Sequence, residues 1–382
     1  MKRKIAVLTG TRADYGIYYS VLKEIEKREE LELNIMVCGM HLEAKYGMTV
    51  NEIIKDGFDI ADKFETIIHE DTGCSMAKSV GIALVKIAES LNRIKPDILL
   101  ILGDRGEMLA AATAAVHMNI PVAHIHGGEV TGTVDESIRH AITKLSHIHF
   151  PATKDSEKRI IKLGEKAENV YVVGAPGIDY IKNTKYLTKE EVIKRFDLNS
   201  DKMFLLTQHP VTTEREYVEW QMRETMEAIV SFRVPTIITY PNSDNGGSEI
   251  IKVIEEYRER YSFIRIFRNL SQIEYLSLLK YADVMIGNSS SGIIEAPSFK
   301  IPVVNVGTRQ NGRLRACNVI DVDYGRKSVI YGIKKAMYDE KFRNQLNKCE
   351  NPYGDGNAGN KIADILSRIK IDNSLIQKRI TY

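Results

Sequence analysis

The feature that most constrains the fold is a repeated alternation of short apolar runs with amphipathic segments of helical spacing. Ile98–Leu102 is entirely apolar and is followed by Gly103, and Pro121–Ile125 is a second such run. Runs this short and this apolar are typical of strands that are buried on both faces of a parallel sheet. The alternation therefore predicts an α/β fold in which each strand is followed by a helix.

This alternation occurs twice along the chain, with a looser stretch between. It starts at strand Ile5–Thr9 and starts again at strand Phe204–Thr207. The chain has 382 residues, which is more than one ordinary core holds and suits two domains. We predict two doubly wound, Rossmann-like lobes at 1–175 and 200–360. The C-terminal segment 361–382 forms a helix with no strand after it, and we expect it to cross back onto the first lobe.

Composition argues against several classes of partner. The 53 basic and 51 acidic side chains leave a net charge of only +2, so no charge argument favours nucleic acid or an acidic membrane. The apolar run after the basic start ends at Leu8, too short for an export signal, and no run approaches the roughly 18 apolar residues of a membrane span. The cysteines have neither metal-finger nor disulfide spacing; they are Cys38, Cys74, Cys317 and Cys349. We expect a reduced, soluble, cytoplasmic protein.

The turn after the first strand reads GTRADYG and carries Arg12 and Asp14. A glycine-containing turn into a helix can hold an anion. The second and third glycines of the GxGxxG fingerprint are missing, so nicotinamide chemistry is not predicted and neither is any other cofactor. His41 lies in the loop GMHLEAKYG after the second strand, and because a single loop histidine is more often a surface residue than a catalyst, we predict a surface histidine there.

In the first lobe, polar side chains follow two strands that we expect to be neighbours. Asp104, Arg105 and Glu107 come after the first of them. The end of the second strand and the loop and helix after it carry further acids, imidazoles and an arginine: His124, His126, Glu129, Asp135, Glu136, Arg139 and His140. Ligands of open α/β sheets bind at the carboxyl ends of the strands. These two strand ends therefore predict one site rich in acids and imidazoles.

In the second lobe the sharpest motif is GNSSSG. Gly287 and Gly292 allow the backbone to come close to a ligand, and Ser289 and Ser290 offer donors to a phosphate at a helix start. The alternative is that a serine-rich turn simply caps the helix.

Other strand ends of this lobe favour the phosphate interpretation. Arg309 and Arg313 can neutralise a pyrophosphate, His209 can donate to it, and Glu295 can accept from both hydroxyls of a ribose. Together they predict a nucleoside diphosphate as the ligand.

The motifs GTRADYG, GDR, HIHGGEVTGTVDESIRHAITKLSH, HPVTT, YPNSDNGG and GNSSSGIIEAPSFKIPVVNVGTRQNGR occur in the order of one family. Over nearly its whole length the chain resembles the hydrolysing UDP-N-acetylglucosamine 2-epimerases of sialic acid biosynthesis. The resemblance implies two lobes as in GT-B glycosyltransferases, an active site in the cleft between them, no metal, and a homodimer or homotetramer. It also implies that UDP is contacted by Arg12, Arg105, His209, Asn242, Leu270, Ser289, Ser290, Glu295 and Arg309, with uracil near Leu270.

The reaction implied by the resemblance accounts for the acidic loops of the first lobe. UDP leaves C1 while the C2 proton is removed, and water then adds to the glycal intermediate as C2 is protonated from the other face. The products are UDP and the free 2-epimeric sugar, which is N-acetylmannosamine when the substrate is UDP-N-acetylglucosamine. Carboxylates must stabilise positive charge near C1 and move protons. By resemblance, Asp104 and Asp135 form the acid/base pair; the alternative is that Asp104 only caps the next helix.

One departure from the family pattern bears on the substrate. Several relatives read HIEGGE where this chain reads HIHGGE, so His126 stands in the place of a catalytic glutamate. Either His126 moves the proton itself or Glu129 supplies the carboxylate. Related epimerases act on UDP-2,4-diacetamido-2,4,6-trideoxyglucose in legionaminic acid biosynthesis, and the sequence leaves that sugar open.

Three rival functions remain. His124 and His126 are spaced like the HxH pair of metal-dependent hydrolases, although no further His or Cys cluster completes a metal shell. A glycosyltransferase would share the fold and the nucleotide site. A non-enzymatic UDP-sugar sensor needs only the second lobe and leaves the acidic loops unexplained.

Overall fold

Twelve strands form two parallel sheets in the computed structural model, which describes residues 2–68, 72–130, 134–241, 246–268 and 270–382 and, for Val134, Asp135 and Thr212, the backbone alone. The first sheet has the order β3-β2-β1-β4-β5-β6. Its strands are β1 Arg3–Thr9, β2 Leu31–Cys38, β3 Ile60–Phe64, β4 Ile98–Leu102, β5 Val122–Ile125 and β6 Ile148–Phe150.

The second sheet has the order β12-β11-β10-β7-β8-β9. Its strands are β7 Phe204–Thr207, β8 Thr236–Thr239, β9 Ile264–Phe267, β10 Val284–Gly287, β11 Val303–Val306 and β12 Val319–Val322. Both sheets have the doubly wound strand order of a Rossmann fold, with the order reversing between β1 and β4 and between β7 and β10. The predicted α/β architecture of two doubly wound units is confirmed.

Helices connect the strands of both sheets. Their bounds are α1 Arg12–Glu26, α2 Val50–Lys55, α3 Gly73–Ile94, α4 Gly106–His117, α5 Val134–Leu145, α6 Lys154–Lys162, α7 Pro176–Asn183, α8 Lys189–Arg195, α9 Val218–Val230, α10 Gly247–Arg260, α11 Gln272–Tyr281, α12 Ser290–Ile294, α13 Ala296–Phe299, α14 Arg326–Tyr338, α15 Glu340–Asn347, α16 Ala358–Arg368 and α17 Asn373–Ile376. None of the described helices is both long and apolar enough to cross a membrane.

The chain divides into unit 1, made of Met1–Lys182 and Tyr353–Tyr382, and unit 2, made of Asn183–Pro352. Within unit 1, α16 packs on α1. The Asp179 carboxylate accepts hydrogen bonds from the first two backbone amides of α16, at 2.9 and 2.6 Å. A Cβ on Gly359 would lie 2.9 Å from the backbone of Ser20, so glycine is needed where these two helices meet.

The cores explain the apolar runs in the sequence. All five residues of β4 are buried, and in β1 Ile5 and Val7 face one apolar cluster while Ala6 and Leu8 face another. A strand covered by helices on both faces needs apolar side chains on both, so it does not alternate.

A disulfide joins Cys317 to Cys349, whose Cα atoms lie 5.7 Å apart although the two cysteines are 32 positions apart in the sequence. The expectation that no cysteines pair is therefore wrong for these two. Their contact depends on how the chain folds after β11 and after α15, which cysteine spacing does not encode. Cys38 and Cys74 are free.

Candidate active site

The loop between β4 and α4 holds the first predicted catalytic residue, Asp104. The residue that precedes α4 is Arg105, and its side chain makes no capping hydrogen bond. The carboxylate of Asp104 accepts a hydrogen bond from the guanidinium of Arg139 on α5. The N-cap residue of α4 is thus Arg105, and the carboxylate of Asp104 has a partner on another helix.

The two histidines at the end of β5 have different environments. His124 is fully buried, with Nε2 2.7 Å from the carbonyl oxygen of Gly103, and burial lowers the pKa of its imidazole to about 3. His126 lies beyond the end of β5 and has a φ of +63°. The rule that strand residues two apart face the same side therefore does not apply to His124 and His126. Among the described residues, no three His, Cys, Asp or Glu side chains are grouped to hold a metal ion. The geometry of His124 gives the metal-hydrolase hypothesis no support.

A chain of polar contacts links the two strand ends. His126 Nδ1 lies 2.5 Å from Glu129 Oε1, and Glu129 Oε2 lies 3.9 Å from Arg139 Nη1. Arg139 then donates to Asp104, and its own side chain is only 7% exposed. Unit 1 thus brings together three of the four predicted catalytic residues. The sequence pattern showed Arg139 among the polar residues but did not assign it this linking position.

The loop that carries His126 and Glu129 is seated on two helices by its glycines. A Cβ on Gly127 would lie 3.2 Å from Thr143 Oγ1 of α5. Gly128 has a φ of +74°, and a Cβ there would lie 2.5 Å from the Ser156 carbonyl oxygen of α6. A side chain at Gly128 would collide with α6 and one at Gly127 would be crowded against α5, so the glycines let the loop that carries the imidazole and the carboxylate lie close to both helices.

The turn after β1 and the loop after β4 contribute more charge to this edge of the sheet. Arg12 is largely exposed, and its Nε donates to Glu52 at 3.1 Å. Arg105 Nε donates to Glu107 Oε1 at 2.7 Å. Asp14 is 6% exposed, and one of its carboxylate oxygens has no hydrogen-bond partner. Burial raises the pKa of Asp14 to about 6, against the lowering effect of Arg105.

His41 is not the predicted surface residue. It is fully buried, with Nε2 3.0 Å from Thr9 Oγ1 and Nδ1 2.8 Å from Thr49 Oγ1. Burial lowers the pKa of His41 to about 4. The short 3₁₀ turn after β2 places this imidazole in the interior of unit 1. A single polar residue in a predicted loop does not show whether its side chain will be buried.

In unit 2, Asn288 organises the strand ends that we predicted to bind a diphosphate. Its side chain accepts from the His209 backbone amide at 2.7 Å and donates to the His209 carbonyl oxygen at 2.9 Å. The backbone carbonyl oxygen of Asn288 accepts from Arg309 Nη1 at 3.3 Å and from Gln310 Nε2 at 2.8 Å. Asn288 therefore joins the ends of β7, β10 and the loop after β11. It was not among the predicted residues, although its place in GNSSSG was the available signal.

The hydroxyls of the serine run are arranged as a helix start. Ser289 precedes α12 and accepts from the Ser291 backbone amide at 3.3 Å, which is the capping role left open by the sequence. The Ser291 hydroxyl donates to Glu295. Burial raises the pKa of Glu295. The hydroxyl of Tyr275 is buried in the same place, and burial and the nearby Glu295 raise its pKa to about 12.

The two glycines of this motif serve the packing of the sheet. Gly287 has a φ of +113°, and a Cβ there would lie 2.2 Å from the Thr207 carbonyl oxygen. A Cβ on Gly292 would lie 2.8 Å from Val303 Cγ1. The contacts in the structure that require these glycines are with neighbouring strands.

The remaining residues that we predicted to bind UDP or to act in catalysis lie at helix starts or outside the described residues. Leu270 is half-buried and directly precedes Ser271, which caps α11. Ser290 is the first residue of α12. Asn242 and the side chain of Asp135 lie outside the described residues.

Comparison with known proteins gives consistent results. The family model described as UDP-N-acetylglucosamine 2-epimerase matches residues 23–367. A UDP-N,N'-diacetylbacillosamine 2-epimerase (hydrolyzing) of Legionella pneumophila is 45% identical over the whole of both chains. A GDP/UDP-N,N'-diacetylbacillosamine 2-epimerase (hydrolyzing) of Campylobacter jejuni is 38% identical over 84% of each. The crystal structure of UDP-GlcNAc 2-epimerase from Neisseria meningitidis bound to UDP-GlcNAc has a TM-score of 0.77 at 21% identity, covering 95% of this chain and 99% of the other.

Proposed function

Because the chain belongs to the UDP-N-acetylglucosamine 2-epimerase family, we propose that it is a hydrolysing UDP-sugar 2-epimerase that prefers UDP-2,4-diacetamido-2,4,6-trideoxyglucose, also called UDP-N,N'-diacetylbacillosamine. The observation that carries the proposal is the linked set of His126, Glu129, Arg139 and Asp104 at the carboxyl ends of two adjacent strands. A site of this kind suits a reaction that must both stabilise positive charge and move protons.

In this proposal unit 2 holds the UDP. Arg309 and His209, which Asn288 joins, neutralise the diphosphate and donate to it. Glu295 accepts from the ribose hydroxyls, and Leu270 lies beside the uracil. Ser289 and Ser290 offer further donors, while Arg12, Arg105 and Asn242 are additional proposed UDP contacts.

The chemistry takes place in two steps. First, the bond from C1 to the UDP oxygen breaks with its electron pair leaving on UDP, a base takes the C2 proton, and a C1–C2 double bond forms. Then an acid of the site gives a proton to C2 from the opposite face, the hydroxyl of water is added to C1, and the remaining proton of that water replaces the one that the acid gave up. The proton taken from C2 in the first step is released to solvent, and the products are UDP and a free sugar inverted at C2.

The acids and the imidazole of unit 1 divide this work. Asp104 and Asp135 are the proposed acid/base pair for C2. Arg139 holds Asp104 in one orientation, and a carboxylate held in this way provides a fixed negative charge for the positive charge that builds at C1. His126 and Glu129, 2.5 Å apart, can pass a proton between them and replace the glutamate of the HIEGGE relatives.

The names of two relatives favour the diacetamido sugar. The Legionella relative with that specificity in its name is 45% identical over the full length, and the Campylobacter relative named for the same sugar is 38% identical. The second candidate is UDP-N-acetylglucosamine, with N-acetylmannosamine as the product for sialic acid-type sugars. It is favoured by the description of the matching family model.

The test is to incubate the protein in D₂O with each sugar nucleotide separately, without acceptor and with a chelator, and to follow UDP release and deuterium at C2. Release with deuterium at C2 supports the proposal, and the ratio of kcat/KM values identifies the preferred sugar. Asp104→Asn should abolish deuterium incorporation while UDP still binds, and the exposed Asp59→Asn should behave like the wild type. UDP release without deuterium means simple hydrolysis, and binding without release means a sensor.

A further inference from the structure

The C-terminal tail of unit 1 reaches the end of α5, the helix that carries Arg139. Lys378 Nζ lies 3.3 Å from the carbonyl oxygen of Thr143 and 2.6 Å from that of Lys144, and it also donates to the carbonyl oxygen of Ser146. The last carbonyls of a helix have no partner within the helix. An ammonium group is the favourable charge at that end, so Lys378 closes the last turn of α5.

The same ammonium forms part of a buried ionic cluster around Glu165, which is 2% exposed. Its carboxylate lies 2.6 Å from Lys144 Nζ, 2.6 Å from Lys378 Nζ and 3.3 Å from His149 Nε2. Burial raises the pKa of Glu165, but the hydrogen bonds from His149, Lys144 and Lys378 outweigh it and bring the pKa to about 2. Both ammonium groups donate to oxygens of the protein, so the cluster ties the tail, α5 and the segment of Glu165 together.

The tail beyond Lys378 packs against the turn that precedes Glu165. Gly164 has a φ of +87°, and a Cβ there would lie 2.6 Å from Ile380 and 2.7 Å from the ring of Tyr382. The Thr381 amide donates to the Gly164 carbonyl oxygen at 3.3 Å. These contacts hold the tail in place beyond Lys378.

The end of α5 lies against the end of β5 and the loop that carries the proposed catalytic residue His126. Thr143 Oγ1 lies 3.5 Å from Nδ1 of His124 and abuts Gly127 in the loop of His126. One turn earlier, Arg139 donates to Asp104. A shift of α5 would therefore displace Asp104, through Arg139, and also the loop that carries His126.

We propose that Lys378, which is far from Arg139 in the chain but joined to its helix in the fold, is a positioning residue that holds α5 and thereby the acid/base groups of unit 1. The inference rests on the proposed function, because the groups that it positions are those assigned to the epimerisation. Lys378 itself is not expected to touch the substrate.

The test compares Lys378→Met and Lys378→Arg with Lys370→Met, a control at a side chain that is 85% exposed and paired with Asp372. We expect Lys378→Met to lower kcat about tenfold or more, because small displacements of catalytic groups have large effects on rate. KM and the Kd for UDP should stay within about twofold, because most of the proposed UDP contacts lie in unit 2. Lys378→Arg should restore most of kcat, and the control should match the wild type.

Hydrogen exchange of peptides from residues 136–145 gives a second readout that does not depend on turnover. Exchange should rise in Lys378→Met and return in Lys378→Arg. If Lys378→Met is insoluble, Lys378→Gln, which keeps a donor but loses the charge, is judged by the same criteria.

Unchanged kcat with unchanged exchange in α5 would overturn the proposal, and so would a loss of UDP affinity that parallels the loss of kcat. Failure of the proposed function has a different signature. In that case the wild type itself releases no UDP and incorporates no deuterium with either sugar, whereas the exchange data still report whether Lys378 holds α5.

Discussion

Replacing Asp14 by asparagine should stabilise unit 1 at neutral pH. Asp14 is buried at the end of β1, and one oxygen of its carboxylate has no hydrogen-bond partner. Burial raises its pKa from 3.8 to about 6. The ionised carboxylate therefore destabilises the folded state, and asparagine has nearly the same shape without the charge.

The magnitude follows from the two pKa values. The raised pKa means that the folded state binds the proton more tightly than the unfolded chain. The stability associated with Asp14 is fully present below pH 3.8, declines as the pH rises towards 6 and is absent above it. The difference from 3.8 to about 6, at 1.36 kcal/mol for each factor of ten, corresponds to about 3 kcal/mol. Asp14→Asn should gain up to this amount at pH 7.5 and almost nothing at pH 3.5.

Urea unfolding of the wild type and of Asp14→Asn at a series of pH values measures the difference in their free energies of unfolding. The exposed Asp59→Asn is the matched control and should change the free energy of unfolding by less than about 0.5 kcal/mol at every pH. A gain for Asp14→Asn that does not depend on pH would refute the reasoning, because it could not come from ionisation. A loss of stability at pH 7.5 would refute it equally. Loss of turnover together with a gain in stability would indicate that Asp14 is retained for function.

Three further predictions test other contacts. Arg139→Met should lower kcat at least about 100-fold with little change in the Kd for UDP, because Asp104 loses the group that orients it; a kcat near that of the wild type, measured by UDP release, would disprove the linking role. Glu165→Gln should lower the free energy of unfolding by about 3 kcal/mol above pH 5, because the pKa of Glu165 is lowered from 4.5 to about 2 in the folded state. The difference from the wild type should shrink as the pH falls from 4.5 towards 2. A difference in urea unfolding that grows in acid would contradict this prediction. Gly287→Ala should destabilise unit 2 by more than about 2 kcal/mol, because its φ is +113° and a Cβ would meet the Thr207 carbonyl oxygen; a thermal midpoint equal to that of the wild type would show that this strand end can relax.

The central strands could be predicted from the sequence, and most of the edge strands could not. β1, β4, β7 and β10 are short apolar runs, because helices cover both of their faces. The edge strands β3, β6 and β12 were not predicted. Their sequences, IADKF, IHF and VIDV, are short or mix polar with apolar residues, as is usual where a strand has only one neighbour in the sheet.

The types of residue at the candidate site could also be predicted, but their partners could not. The order of strands and loops in the sequence was enough to place Asp104, His126 and Glu129 near one edge of the sheet, because the carboxyl ends of parallel strands share that edge. That Arg139 joins them, that Asn288 joins the strand ends of unit 2, and that His41 is buried depend on contacts between separate elements.

The sequence by itself determined the fold class, because strand and helix periodicity and continuous apolar runs follow from local geometry and burial. Only the tertiary structure decided which charged groups meet. Lys378 and Glu165, and likewise Cys317 and Cys349, are distant in the chain and come together through the packing of helices and loops. A local pattern shows that a side chain is polar or apolar, whereas its partner is set by which surfaces pack against each other, and that is a property of the whole fold.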